Sequence, residues 1–373
     1  MNNIPVLQPS YDEQTLQELL DVMRSGWVGQ GPKCFEFEEK FAEYVGSKYC
    51  IMTNSGTSAL DLCLKVYDIK GGELITTPMT FVSDAIVGEW NEMEVVFGDI
   101  EEDSLCLNPE TIFNGVYNQP IDVKAIIVVD SHGRLANIKR IKEICIEKKV
   151  KPLIIEDAAH ACYTKGAGEF ADITIWSFQA VKSLPIFDGG AITTNDEAIY
   201  KKLRTLTWLG VEKSTWDRVG KKYTWDYDIR QGQGIKAYMT DVQAVIGLGQ
   251  LRRLPLTLAR RRTIQRRYNE AFKDHAWFEE PAYSETVQYY TPQFEDRDGL
   301  SDYLAEKGIT TSVHFKPLSE MTYWKKAKKN PLPVTDRVWK NLLSLPVHDN
   351  LSDLDIQYII NQVLNFYDTA NRR

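Results

Sequence analysis

The sequence has little histidine or cysteine, and what it has is scattered. Five histidines and six cysteines are spread over 373 residues. Cys34, Cys50, Cys63, Cys106, Cys145 and Cys162 form no CxxC pair and no cluster with histidine. A metal site or a disulfide framework is therefore not expected, and reduced thiols in a cytoplasmic protein are the simpler reading. No apolar run approaches the ~18 residues of a membrane span. The opening residues, MNNIPVLQPSYDEQ, have no basic stretch leading into an apolar one, so no signal peptide is expected. There is no GxxxxGK followed by Ser or Thr, which sets aside a P-loop nucleotide hydrolase. An excess of basic charge is also lacking. A formal net charge of −8 gives no reason to expect nucleic acid or an anionic membrane as partner. No helix-turn-helix pattern precedes residue 25 or follows the last segments, which argues against a regulator that binds DNA.

What is present is an ordinary globular composition, 43% hydrophobic and 26% charged, long enough for a large domain and a smaller one. Candidate strands fall at residues 73–77, 93–97, 123–129, 152–157, 173–178 and 191–194. Several are apolar almost throughout, as a strand covered on both faces should be. Helical patterns at 58–66, 83–90, 138–148 and 197–206 alternate with them. That alternation implies an α/β domain with a mainly parallel sheet, helices on both faces and a ligand site at the carboxyl ends of the strands. From Asp241 the texture changes. A long helix candidate passes through QAVIGLGQLRRL and continues beyond Pro255 into TLARRRTIQRRYNEAF. After it come short strand candidates (QYYTPQF at 288–294, TTSVHF at 310–315) and helices at 297–307 and 353–367. The chain thus divides into a large α/β domain, 1–250, and a smaller α+β domain, 251–373.

Three segments carry chemistry. NSGTSAL, 54–60, precedes a helical pattern; Gly56 permits close backbone approach, and Ser55, Thr57 and Ser58 add hydroxyls where free N–H groups favour a phosphate. An ordinary helix cap would use the same residues. IIEDAAH, 154–160, ends a buried strand on Asp157, where a carboxylate needs a cationic partner such as a protonated pyridine nitrogen. A salt bridge or N-cap would also account for it, and His160 reads as the start of a helix. WSFQAVKSLPIFDGGAITT, 176–194, delivers Ser177 at a strand end, then Lys182 among apolar neighbours, then Gly189 and Gly190. Burial and nearby positive charge would lower the affinity of such a lysine for its proton, which imine chemistry requires. Most lysines are instead on the surface. Together the three segments supply a phosphate cradle, an acid for a ring nitrogen and an amine for an aldehyde, which are the needs of pyridoxal phosphate.

The order and spacing of these segments resemble the DegT/StrS family of sugar aminotransferases, within the fold-type I, aspartate aminotransferase-like, pyridoxal-phosphate enzymes. The resemblance spans nearly the whole chain. It runs through SGWVGQGPKCFEFEEKFAEYVGSKY (25–49), TTPMTFVSDAI (76–86), MTDVQAVIGLGQL (239–251), HFKPLSEM (314–321) and LSLPVH (343–348). It implies Lys182 as the catalytic amine, bonded to the cofactor aldehyde as a Schiff base, and Asp157 on the pyridine nitrogen. It implies Gly56, Thr57 and Ser177 on the phosphate, Phe81 against the ring face and His160, where many relatives have glutamine, near the ring hydroxyl. Relatives are homodimers with shared active sites. The partner-reaching asparagine of the family stretch GYNYRMTD is here Lys236, in GIKAYMTD (234–241). Trp27 and His314 match positions near the sugar-nucleotide pocket. Trp208, Trp216 and Trp225 could stack on a base, but packing is their default. The implied reaction moves an amine from L-glutamate to a nucleotide-linked keto sugar, commonly a 4-keto-6-deoxyhexose, with pyridoxamine phosphate between the halves. A cofactor-dependent sugar dehydratase of the same family is the rival enzyme, but those typically carry histidine where this chain has Lys182.

Overall fold

The expected strands form, but the sheet has an edge the apolar runs did not announce. A computed structural model of the chain describes residues 3–113, 122–162, 164–325 and 327–370. Helices α1 (Glu13–Ser25) and α2 (Pro32–Val45) lead into strand β1 (Tyr49–Thr53) and α3 (Gly56–Val66). Then follow β2 (Glu73–Thr76), α4 (Ser83–Trp90), β3 (Glu94–Phe97), β4 (Val123–Val129), α5 (Ile138–Glu147) and β5 (Leu153–Asp157). Strands β6 (Ile173–Ser177) and β7 (Gly190–Thr194) and helix α6 (Glu197–Leu206) complete this part. The sheet order is β1-β7-β6-β5-β4-β2-β3, with β10 (Lys328–Lys329) added beside β3. Neighbours are parallel from β10 across to β6, and β7 alone runs against both of its neighbours.

Strands that are apolar on both faces need cover on both faces. One face is covered by Leu60 and Leu64 of α3, Val87 of α4 and Leu203 of α6. The other takes Phe37 and Phe41 of α2 and Val245 of the long helix against Met52, Trp176 and Phe178. Further along, Ile141 and Ile144 of α5 pack on Ile126 and Ile154. Helices α1 and α2 went unassigned from the sequence, although their signals are ordinary. Asp12 caps α1 by accepting from the Thr15 N–H at 2.8 Å, and Gly26 and Gly46 end the two helices in the left-handed region.

The long helix α7 spans Asp241–Phe272 and opens on a capping box between Thr240 and Gln243. It passes through Pro255 without a break, as the helical pattern continuing beyond that residue predicts. Leu254 and Leu258 are buried in the core of the sheet layer, while Ile264, Tyr268 and Phe272 belong to the C-terminal core. Packing on both sides of the proline holds it helical against its missing N–H. Beyond α7, β8 (Phe278–Glu279) pairs with β9 (Gln293–Phe294), followed by α8 (Arg297–Glu306), α9 (Pro333–Val338) and α10 (Asp353–Ala370). The strand expected at 310–315 is absent; that segment makes only one bridge, Ser312 to Ser344, too little for a ladder. Among the described residues no helix is long and apolar enough to cross a membrane, and all six cysteines are unpaired and buried.

The α2–α7 contact is close because Gly247 has no side chain. A β-carbon there would lie 2.4 Å from Cε1 of the Phe37 ring, which is fully buried. Alanine gains about 1 kcal/mol of helix propensity over glycine, but the overpacking costs about 1–3 kcal/mol. Gly247→Ala is expected to lower the urea midpoint with an unchanged slope; a raised midpoint would show that this contact is slack.

Candidate active site

The site forms where the carboxyl ends of the parallel strands meet the start of α3. Register places Ser177 and Thr53 on either side of Gly190. A β-carbon on Gly190 would lie 2.6 Å from the Ser55 carbonyl carbon and 2.7 Å from the Gly56 nitrogen. Only glycine lets the β7 backbone come so near the first turn of α3. One on Gly56 would in turn lie 3.1 Å from the Ser177 β-carbon. Ser55 caps the helix by accepting from the Ser58 N–H at 3.1 Å. The N–H groups of Gly56 and Thr57 and the positive end of the helix dipole thus lie beside Ser177, a spot suited to a phosphate.

Asp157 ends β5 and is buried, with Oδ1 accepting from the Ala159 N–H at 2.8 Å. Its carboxyl meets that of Asp84 in the first turn of α4, which is buried completely. Burial raises the affinity of both for a proton. Lys182 follows β6 in a turn, its N–H donating to the Gln179 carbonyl at 2.8 Å. Its side chain lies deep in the protein, although the residue keeps some exposed surface. Burial pushes its amine down to about 8, while Asp157 and Asp84 pull the other way. Of the two influences that can lower a lysine, burial and positive charge, burial is the one at work here, and the near charges are two carboxyls that oppose it.

Three imidazoles surround this amine. His160 is buried in a turn, not in the helix expected from its sequence. Its Nδ1 accepts from the His132 N–H at 3.3 Å, so the ring proton belongs on Nε2. His132 Nε2 meets the His314 carbonyl oxygen at 2.8 Å, and His314 Nδ1 meets Ser344 Oγ at 2.7 Å. The His314 ring stacks on Tyr289 with centroids 3.8 Å apart, and that of His160 lies parallel to Phe315 at 5.9 Å. Burial, then the Lys182 charge, pushes His160 well below its usual range and His314 down to about 3. Burial does the same to His132. All three are neutral at physiological pH.

This constellation has counterparts. Residues 9–364 match the DegT/DnrJ/EryC1/StrS aminotransferase family. The chain belongs to this family. It is 33% identical to the spore coat polysaccharide biosynthesis protein SpsC of Bacillus subtilis, with 96% of each chain covered. It is 28% identical to the UDP-4-amino-4,6-dideoxy-N-acetyl-beta-L-altrosamine transaminase of Campylobacter jejuni, with 93% of each covered. Among solved structures, the PMP form of Spr1654 from Streptococcus pneumoniae superposes with a TM-score of 0.88 at 28% identity, covering 98% of this chain and 100% of the other.

As a DegT/DnrJ/EryC1/StrS aminotransferase the chain is a transaminase of fold type I, and its residues fit pyridoxal phosphate. The fit rests on three groups brought together at the carboxyl ends of the strands: the first turn of α3, the buried Asp157 carboxyl and the buried Lys182 amine. Gly56, Thr57, Asp157, His160, Ser177, Lys182 and His314 come together here. Phe81 follows Thr80, whose hydroxyl bonds Asp84, and its ring is 58% exposed. Trp27 and Lys236 meet other partners. Trp27 lines a cavity of about 260 Å³ with Trp208, Ser214 and Tyr238. What the Lys236 amine touches is the Trp208 ring, 5.5 Å from its centroid. Trp216 packs edge-on against Trp27 at 4.9 Å, the default expected for it.

Asp84, His132, Tyr289 and Phe315 were missed in the sequence. Asp84 reads as a helix-start carboxylate and Tyr289 as a strand residue; nothing local says that either is buried beside Lys182. The dipeptide at 132–133 offered a hint, because His132 sits in the left-handed region, φ 58°, before Gly133. A lysine amine near 8 reacts as the free base at far lower pH than surface lysines do. Labelling of Lys182 in the cofactor-free protein by a small amine-reactive reagent, followed by mass spectrometry, is expected to be half-maximal near pH 8. A midpoint above 10 would show that the carboxyls, not burial, dominate.

Proposed function

We propose that this aminotransferase moves the amino group of L-glutamate to a nucleotide-linked keto-deoxysugar, in the first instance a 4-keto-6-deoxyhexose. Pyridoxal 5'-phosphate is the carrier, with pyridoxamine phosphate between the two half-reactions. The observation that carries this reading is the Lys182 amine, held near neutrality by burial and flanked by Asp157. The sugar side is supported by the relatives, among them a transaminase named for a UDP-linked amino-dideoxy sugar.

When bound, the cofactor supplies an electron sink that stabilises negative charge on the carbon that loses its proton. Gly56, Thr57 and Ser177 would hold the phosphate, Asp157 the ring nitrogen, Phe81 one ring face, and the His160 Nε2–H the ring hydroxyl. Lys182 Nζ is the group that takes the proton from one carbon and returns it to another, because an amine near 8 is both a fair base and, once protonated, a fair acid at pH 7 to 8. The neutral imidazoles of His132, His160 and His314 leave that proton alone and line a dry wall beside it. In this reading residues 1–250 carry the cofactor, and residues 251–373 bring His314 and Tyr289 over the substrate.

The same reading takes the protein as a cytoplasmic homodimer whose sites are shared. The exposed Phe81 and Trp225 rings and the exposed Lys236 support the shared site. Lys236 would reach the cofactor phosphate of the partner as a point charge where relatives use asparagine. Trp27 and His314 would flank the sugar nucleotide. Lys182 also speaks against the dehydratase alternative.

Incubated with pyridoxal phosphate and L-glutamate, the protein is expected to release 2-oxoglutarate. A nucleotide-linked 4-keto-6-deoxyhexose is expected to return as its amine, read by mass spectrometry. Lys182→Ala is expected to abolish turnover, a loss of at least about 10³-fold, while the folded protein still binds pyridoxamine phosphate. Dehydrated sugar without amine, or full turnover by the Ala variant, would overturn this assignment.

A further inference from the structure

Asp84 has no assigned part in the reaction, and its surroundings give it one. A carboxylate in the first turn of a helix usually faces water, where it offsets the helix dipole. This one has no exposed surface. Its Oδ2 accepts from the Thr80 hydroxyl at 2.5 Å. Its Oδ1 is buried and, among the described residues, receives no N–H or O–H. The group it does meet is the carboxyl of Asp157. Two buried carboxylates in contact cannot both be ionised, so one proton lies between them. A bare buried carboxylate oxygen without a donor is costly. The same oxygen carrying a hydrogen is a donor, and Asp157 is the acceptor beside it. Asp157 already receives the Ala159 N–H, which suits the ionised partner.

We propose that Asp84 is a positioning residue that keeps a proton on Oδ1 and donates it to Asp157, fixing Asp157 as a singly charged acceptor for the ring nitrogen of the cofactor. The role toward the cofactor rests on the function proposed above; the place of the proton does not. Other titratable groups facing the pair are Lys182, the Cys63 thiol on α3 and a second buried carboxyl pair, Asp130 and Glu156. The Ala159 N–H on Asp157 favours the charge there and the proton on Asp84, whose Oδ1 has no donor, and Lys182 is a cation acting on both.

Infrared difference spectra of the cofactor-free protein at pH 7 locate the proton. The stretch of a protonated carboxyl is expected to vanish in Asp84→Asn and to persist, shifted, in Asp157→Asn. Loss in Asp157→Asn alone, or no such difference in either variant, would overturn the proposal. Should Asp84→Asn not fold, Asp84→Thr, whose hydroxyl also donates, takes its place. A second readout is the affinity for pyridoxal phosphate. Asp84→Asn is expected to keep it within about threefold, and Asp84→Ala to weaken it about tenfold or more, the worth of a hydrogen bond to a charged group. Equal loss in Asp84→Asn and Asp157→Asn would show that Asp84 is needed as an anion, against the proposal. Wild-type protein that does not bind the cofactor would instead defeat the functional reading and leave the infrared test standing.

Discussion

The burial of one amine beside carboxyl groups governs this site. Water removal disfavours the ammonium form of Lys182, and Asp157 and Asp84 favour it. Burial wins: the drop from the ordinary 10.5 to about 8 corresponds to roughly 3 kcal/mol between the two protonation states. That outcome depends on how many of the nearby carboxyls are charged. With both ionised, the attraction would restore the ammonium; with one proton shared between them, a single negative charge remains. The three neutral imidazoles follow from the same dryness, since none can take a proton so close to the amine without water to solvate it.

The fold supplies this environment through register. Because β7 alone runs against its neighbours, its first residue lies level with the last residue of β6 and of β1. Gly190 then leaves room for the start of α3 to close on Ser177. Asp157 is one strand over at the same edge, and Asp130 one further, where its N–H donates to the Asp157 carbonyl at 3.0 Å. Phosphate cradle, acid and amine are thus set by strand ends, which are rigid. The elements that complete the wall, Tyr289 and His314, come from loops of the C-terminal part.

Much of this was legible because it is local. Apolar runs marked the six inner strands, the Ser-Gly-Thr-Ser stretch marked the start of α3, and an acid at the end of a buried run marked Asp157. What stayed hidden depends on packing between distant segments. Strand β1, YCIMT, is not marked by its sequence: its place is set by pairing with β7, which is distant along the chain. Asp84 and His132 become site residues only when β2 and β4 bring their following loops beside β5. The long helix was read correctly as crossing Pro255, but its continuity there is decided by the two cores it joins. His160 reads as the start of a helix but sits in a turn, where its Nδ1 accepts from the His132 N–H of a distant segment.

The most direct measurement is a crystal structure of the protein soaked with pyridoxal phosphate. The account predicts the phosphate on the N–H groups of Gly56 and Thr57, the ring nitrogen on Asp157, and continuous density from the cofactor to Lys182 Nζ. A cofactor found elsewhere, or a Lys182 amine turned away from it into an ion pair with Asp157, would contradict the account.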